Sequence, residues 1–511
     1  MSMIKSFLTF SSFTLISRIL GFIRDATISA LLGTSYMADA FFVAFRLPNL
    51  FRMLFAEGAM SAAFVPLYTE KYNNNPEEAS RFINETFSAI LLILLAISLL
   101  AYPFMPQIIK ILAPGFISNH CKSLLTIKLG RIMFPYVIFI TLVATVGAGL
   151  QTRKKFAAMA LMPIIPNILF IISPTLLNGK LDVPEALSFS FLIAGLIQLL
   201  FMLIAAHKQG LKIKLKLPTA HADNIALLHR IAPTIIGACV TRINVMISTF
   251  FASMGAGSVS YIYYADRLQQ MPTALIGIAM SYILLPNISQ KIACAETEKI
   301  NPMVNAALSA SIILCIPAMI AFFIISKEIV ITVFGRGKFT IIDTEQTATI
   351  LRIFAAGLPA VILTNIIVPI FFAYGDTKTP VKISFWCLLL NLCGNMTLGI
   401  KMKHYGVAIS ISSAAWLNFI MLILQVKKKK YLIIDQKIQK IINNTLLCGT
   451  IMGVSLLVMS IISHKSFTME TPSLLRLLSL VSICCLSAII YYLSLWITKT
   501  INVKEFLQSI A

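Results

Sequence analysis

Apolar runs of about twenty residues, separated by short polar or charged stretches, recur from one end of the chain to the other. A helix of that length crosses a hydrocarbon core of about 30 Å. The runs LLILLAISLLAYPF, LIAGLIQLLFMLIAA and LLSLVSICCLSAIIYYLSLWI are continuously apolar, which excludes the short alternating strands of a membrane barrel. Fourteen spans are predicted, at about 4–31, 36–69, 82–111, 123–150, 157–177, 184–206, 225–252, 257–289, 302–326, 345–373, 380–400, 405–426, 441–463 and 474–498. The predicted fold is an all-α polytopic membrane protein in which each span satisfies its own backbone.

The pattern repeats at a distance of roughly 220 residues. Ala59-Met60-Ser61 with Pro66 matches Ala279-Met280-Ser281 with Pro286 at the same spacing, Ser17-Arg18-Ile19 matches Thr241-Arg242-Ile243, Arg131-Ile132 matches Arg352-Ile353, and Asn167 matches Asn391. Six spans separate the copies, so both have one membrane orientation, as in parallel-repeat transporters with a site near the midplane. The division expected is a first six-helix lobe over 1–220, a second over 221–430, and a two-helix C-terminal extension over 431–511.

Composition agrees with a membrane protein: 58% of the 511 residues are hydrophobic and 12% charged, and mean hydropathy is +0.87. The net charge of +22 lies mostly in short loops, among them those holding Arg153 to Lys155, Lys208 to Lys216 and Lys427 to Lys430. That asymmetry is the positive-inside pattern and predicts both termini in the cytoplasm, with no nucleic-acid partner. Lys427 to Lys430 would serve equally to set topology or to retain anionic lipid. Lys122 falls among the few cations of the opposite loops. The nine cysteines lie almost all in apolar segments, so no disulfide framework is expected. No His-Glu-x-x-His pair, phosphate-binding loop or dinucleotide fingerprint is present, which argues against an enzyme, a cofactor or direct use of ATP.

The stretch Ser17 to Pro66 departs from the apolar pattern, since it carries Arg18, Arg24, Asp25, Asp39, Arg46, Arg52 and Glu57. Each costs about 2.5–3.5 kcal/mol at bilayer depth on insertion scales, so such residues are retained where they face a partner or water. Arg242, Asp266 and Arg267 add to the set farther along. Arginine outnumbers acid, and a cavity with surplus guanidinium selects an anion, phosphate above all. Any single arginine is equally accounted for by snorkelling or by a salt bridge between helices. Pro48 lies between Arg46 and Arg52 and is the best hinge candidate; Glu57-Gly58 reads either as a gate or as a pairing with Arg52 in a helix break.

At Ser17-Arg18-x5-Arg24-Asp25, Asp39-Ala40-Phe41-x4-Arg46-Leu47-Pro48-Asn49-x2-Arg52, Glu57-Gly58-Ala59 and Ala265-Asp266-Arg267-Leu268 the chain resembles the MurJ (MviN) family of lipid II flippases, within the superfamily of multidrug and oligosaccharidyl-lipid exporters. The resemblance implies a multi-pass protein of the bacterial inner membrane that moves lipid II, an undecaprenyl-diphosphate-linked disaccharide pentapeptide, to the outer leaflet by alternating access for cell-wall synthesis. It implies diphosphate contacts from Arg24 and Arg267, with Asp25 orienting Arg24. Arg18, Asp39 and Arg52 would belong to the charged cavity, joined by Arg46, Arg242 and Asp266. Pro48, Asn49, Glu57 and Gly58 would form the hinge or gate, and the C-terminal pair a groove for the lipid tail. Membrane lipids and the cell-wall synthesis machinery are the partners implied. Positions where some relatives bind sodium read Ser248, Asn391 and Asn395, with no carboxylate, so the membrane potential is the expected driving force. The alternatives are a flippase for another undecaprenyl-diphosphate-linked glycan, a drug or cation antiporter with a carboxylate-dominated cavity, and a non-transporting scaffold.

Overall fold

The computed structural model describes residues 3–54, 60–153, 157–177, 179–216, 242–498 and 500. Every regular element among them is a helix. Eleven helices are long and apolar enough to cross a membrane, and they coincide with the third to sixth and the eighth to fourteenth predicted spans. The first predicted span is α1 (Met3–Leu32), and the second is described as α2 (Tyr36–Leu54) and α3 (Met60–Asn74). Of the seventh, the helical stretch 242–252, called α10, lies within the described residues. The chain forms two compact units, Met1–Gly257 and Ser258–Ala511.

The first unit continues with α4 (Pro76–Leu112), α5 (His120–Met133), α6 (Tyr136–Thr152), α7 (Ala157–Leu161), α8 (Ile164–Leu176) and α9 (Val183–Lys208). Helix α4 starts on Asn75, whose side chain accepts from the Glu77 and Glu78 amides, and the two acids favour the helix N-terminus. Its 37 residues make it about 55 Å long, more than a bilayer core, so one end leaves the membrane. The chain at 211–216 is pinned along it: the Lys214 and Lys216 amides donate to Asn84 Oδ1 at 2.8 Å and Ser88 Oγ at 3.0 Å. Two residues of extended chain and four of helix both advance by about 6 Å, which makes this register possible. In the core, Phe41 and Phe45 of α2 meet Phe170 of α8, and Phe191 of α9 stacks on Tyr136 of α6 at 3.8 Å. This aromatic cluster fixes α8 against α2.

The second unit comprises α11 (Ser258–Pro272), α12 (Ala279–Ala293), α13 (Ile300–Ile324), α14 (Ser326–Phe334), α15 (Ile341–Ala373), α16 (Lys378–Gly394), α17 (Ile400–Met402), α18 (His404–Lys428), α19 (Lys437–Ile462) and α20 (Ser473–Ile497). Helix α15 is buried over most of its surface, with Leu358, Ile362, Ile366 and Ile370 wholly enclosed, as suits a central helix of its bundle. π-helical turns at Thr273–Ile278 and Asn395–Gly399 interrupt the helices after Pro272 and Gly394. The C-terminal pair packs on α13 through Gly449 and Gly453 of α19; a Cβ at Gly449 would come within 2.5 Å of Ile320 Cδ1. Small residues four apart permit this close helix approach. Tyr491 of α20 adds a hydrogen bond from its hydroxyl to the Ile313 carbonyl at 2.8 Å.

Candidate functional site

Arg24 and Asp25 are adjacent on α1, and the aromatic cluster beneath them decides what they meet. Asn167 lies one turn before Phe170 on the buried face of α8 and so points at α1. The Arg24 guanidinium donates through Nε and Nη2 to Asp25 Oδ1, at 2.9 and 2.7 Å, and through Nη1 to Asn167 Oδ1 at 2.9 Å. Its carbon lies 5.8 Å from the centre of the Phe170 ring. The Asn167 amide donates in turn to the Ser17 carbonyl at 3.0 Å. Arg24 is thus held as a preorganised, partly accessible cation, its side chain 14% exposed beside an almost fully buried Asp25.

The second unit holds Arg267 on α11. Its Nη1 donates to Gln270 Oε1 and its Nη2 to the Tyr263 hydroxyl, both at 3.1 Å, while the guanidinium lies over the Tyr263 ring at 4.8 Å. Gln270 also donates to the Asp266 carboxylate, so Asp266, Gln270 and Arg267 form a single polar ridge on one side of the helix. A planar cation flanked by an aromatic face and amide donors suits an oxyanion that arrives with its own charge.

Of the other charges read from the sequence, Arg18 is exposed on α1, Arg46 donates to the Val245 carbonyl at 3.5 Å, and Arg242 is half-buried. Arg52 donates to Asn49 Oδ1 at 2.9 Å across one turn of α2. Pro48 is buried within α2, which continues through it to Leu54 although the missing N–H leaves a carbonyl unserved one turn earlier. Glu57 and Gly58 lie outside the described residues. Asp39 is fully buried: its Oδ2 accepts from Lys122 Nζ at 2.6 Å and from the Gly257 amide at 3.0 Å, and the ammonium lies 3.9 Å from the centre of the Phe116 ring.

Lys122 therefore corrects the sequence reading, which counted it as a loop cation. It is the third residue of α5, buried behind the Asn119 cap, and the sequence signal was that asparagine three positions earlier. Asn167, noticed only as a repeat match, is likewise a direct partner of Arg24. Ser248 is buried and donates to the Asn244 carbonyl. Asn395 starts a π turn and donates to Asn391 O and Oδ1 at 2.7 and 2.9 Å, leaving its own oxygen buried without a protein donor. Among the described residues no group of three or more His, Cys, Asp or Glu side chains is arranged for a metal ion.

The fold is similar to that of an inward-facing multidrug resistance MATE family transporter, whose structure matches with a TM-score of 0.65 at 12% identity over 83% of this chain and 98% of the other. A family model described as "Lipid II flippase MurJ" matches residues 28–478. A "probable lipid II flippase MurJ" of Rickettsia prowazekii (strain Madrid E) is 35% identical, covering 98% of this chain and 99% of its own. The "lipid II flippase MurJ" of Burkholderia cenocepacia is 33% identical over 84% of both chains. A solved structure described as "Lipid II flippase MurJ, inward closed conformation" matches with a TM-score of 0.81 at 30% identity over 97% of this chain and all of the other. The chain belongs to the MurJ family. It is a multi-pass membrane transporter.

Proposed function

We propose that the chain flips lipid II from the cytoplasmic to the outer leaflet of the bacterial inner membrane, for peptidoglycan synthesis, by alternating access. What carries the reading is Arg24, a partly exposed guanidinium held by Asp25 and Asn167 in a span where an unneeded charge would be costly. Arg24 and Arg267 are the diphosphate ligands, and Asp25 keeps the Arg24 fork oriented when a phosphate oxygen takes over one of its bonds. Arg18, Asp39, Arg46, Arg52, Arg242 and Asp266 make up the balancing charge of the pathway, and Pro48, Asn49, Glu57 and Gly58 the gate.

The finer architecture proposed is fourteen spans with both termini in the cytoplasm, two six-helix lobes over 1–220 and 221–430, and a tail groove in 431–511. Cell-wall synthesis enzymes are the proposed partners. The membrane potential is the proposed driving force, at about 2.3 kcal/mol per charge per 100 mV, because Ser248, Asn391 and Asn395 offer a hard cation no carboxylate. Transport in proteoliposomes should survive replacement of sodium by potassium and weaken when the potential is collapsed; strict sodium dependence overturns that part. The main test is complementation of a strain depleted of its lipid II flippase. Arg24→Ala and Arg267→Ala at equal expression should fail to rescue, and full rescue by both would sink the mechanism.

A further inference from the structure

Helix α20 presents a buried stripe of Arg476, Leu480, Ile483, Ser487, Tyr491 and Leu495, while Leu474, Leu475, Leu477, Leu478 and Val481 on its other side are exposed. Arg476 is 3% exposed in the first turn of its helix, where the macrodipole disfavours a cation. What receives it is the opposite end of another helix: its Nη1 donates to the Ile331 carbonyl in the last turn of α14 at 3.0 Å. Arg336, exposed just past that helix end, donates through Nη2 to the next carbonyl, Thr332, also at 3.0 Å. Two guanidiniums therefore dock on successive carbonyls of one helix terminus and act on each other as like charges.

A helix C-terminus supplies about half a negative charge against these two positive ones. Among the described residues neither arginine forms an ion pair; Glu328, one turn earlier on α14, accepts from the Ser460 hydroxyl through Oε1, and its Oε2 is buried without a hydrogen-bond partner. Arg476 Nε is buried without a hydrogen-bond partner. Two guanidiniums at one helix end suit an anion with several acceptor oxygens, and the neighbouring exposed leucines suit acyl chains.

We propose that Arg476 and Arg336 form a binding site for a phosphate group at the end of α14, and that its ligand is the phosphodiester of an anionic membrane lipid seated beside α20. Guanidinium forks match phosphate oxygens, and the site is distinct from Arg24 and Arg267, the residues assigned to the substrate's diphosphate. The test is thermal unfolding of the purified full chain in detergent, titrated with phosphatidylglycerol, with phosphatidylcholine, or with inorganic phosphate. Phosphatidylglycerol should raise Tm in a saturable way, phosphatidylcholine far less, and Arg336→Gln, which removes an exposed side chain, should weaken the apparent affinity by about tenfold without altering Tm in the absence of lipid. Arg476→Gln should abolish the shift. A shift produced by inorganic phosphate and lost in Arg336→Gln supports the phosphate site with a free anion as its occupant. Equal shifts in the native chain and Arg336→Gln, or none with either phosphate source, overturn the proposal.

Discussion

Helices α5 and α15 begin alike and are secured differently. Each opens on a polar cap, Asn119 or Thr340, and in each the third helical residue reaches the fourth residue of another helix: Lys122 reaches Asp39 of α2, and Asp343 accepts from Tyr261 of α11. In the first unit the pair is ionic and buried, and the cation sits where its own helix dipole repels it. Asp39, with help from the Phe116 ring, offsets that repulsion. In the second unit the acid sits at the favourable end of α15, and its Oδ2 accepts from the Thr340 amide at 2.8 Å in a reciprocal box. The 3.3 Å bond from Tyr261 is one contribution among several. The first junction centres on a buried ion pair, and the second on a neutral hydrogen bond to a capped carboxylate.

Lys122→Met is the most damaging test of this contrast. It removes the ammonium beside the buried Asp39 carboxylate and should cost about 3–5 kcal/mol of stability in detergent unfolding, with much of that recovered in the double variant carrying Asp39→Asn. If it proves no worse than Lys128→Met, which breaks a solvent-exposed pair with Glu185, the junction does not rest on this charge. Next comes Thr340→Ala, which removes one half of the capping box and should cost about 1 kcal/mol by the same assay. Tyr261→Phe should cost less than about 1 kcal/mol because Asp343 remains satisfied; a loss equal to that of Lys122→Met would erase the difference between the junctions.

The smallest effect belongs to an ion pair outside the spans, Asp376 with Lys429. Burial pushes the Asp376 carboxyl up, but hydrogen bonds from Lys429 and Thr379 outweigh it and hold the group below the ordinary carboxylate range. A lowered carboxyl binds protons more readily when unfolded, so its stabilisation is complete above that range and drains away as pH falls through the folded value. Unfolding midpoints of the native chain and of Asp376→Asn should converge below about pH 4 and in high salt, whereas the buried Asp39 pair should be insensitive to salt.

The helices were legible because continuous apolar runs of bilayer length have few other solutions, and eleven predicted spans coincide with helices of the required length. Arg24 beside Asp25 was legible for the same reason, as charge out of place. Lys122 was not, because a lysine near a span end looks like a topology signal whether it faces water or an aspartate 83 positions away. Arg476 was lost similarly, as a lone cation at the head of an apolar run, and its setting exists only once α14 ends beneath it. Asn167 showed no charge to notice; its importance comes from the aromatic packing that turns α8 toward α1.

The side chain of Asn167 grips α1 at two levels, through Arg24 Nη1 and through the Ser17 carbonyl nearly two turns away. Gly21 lies between those levels, where an added Cβ would sit 3.8 Å from the Asn167 nitrogen. The proposed ligand, in drawing the Arg24 guanidinium outward, would take away one of the two bonds that position the amide and leave the bond to the Ser17 carbonyl. One carboxamide of α8 thus ties together two successive stretches of α1.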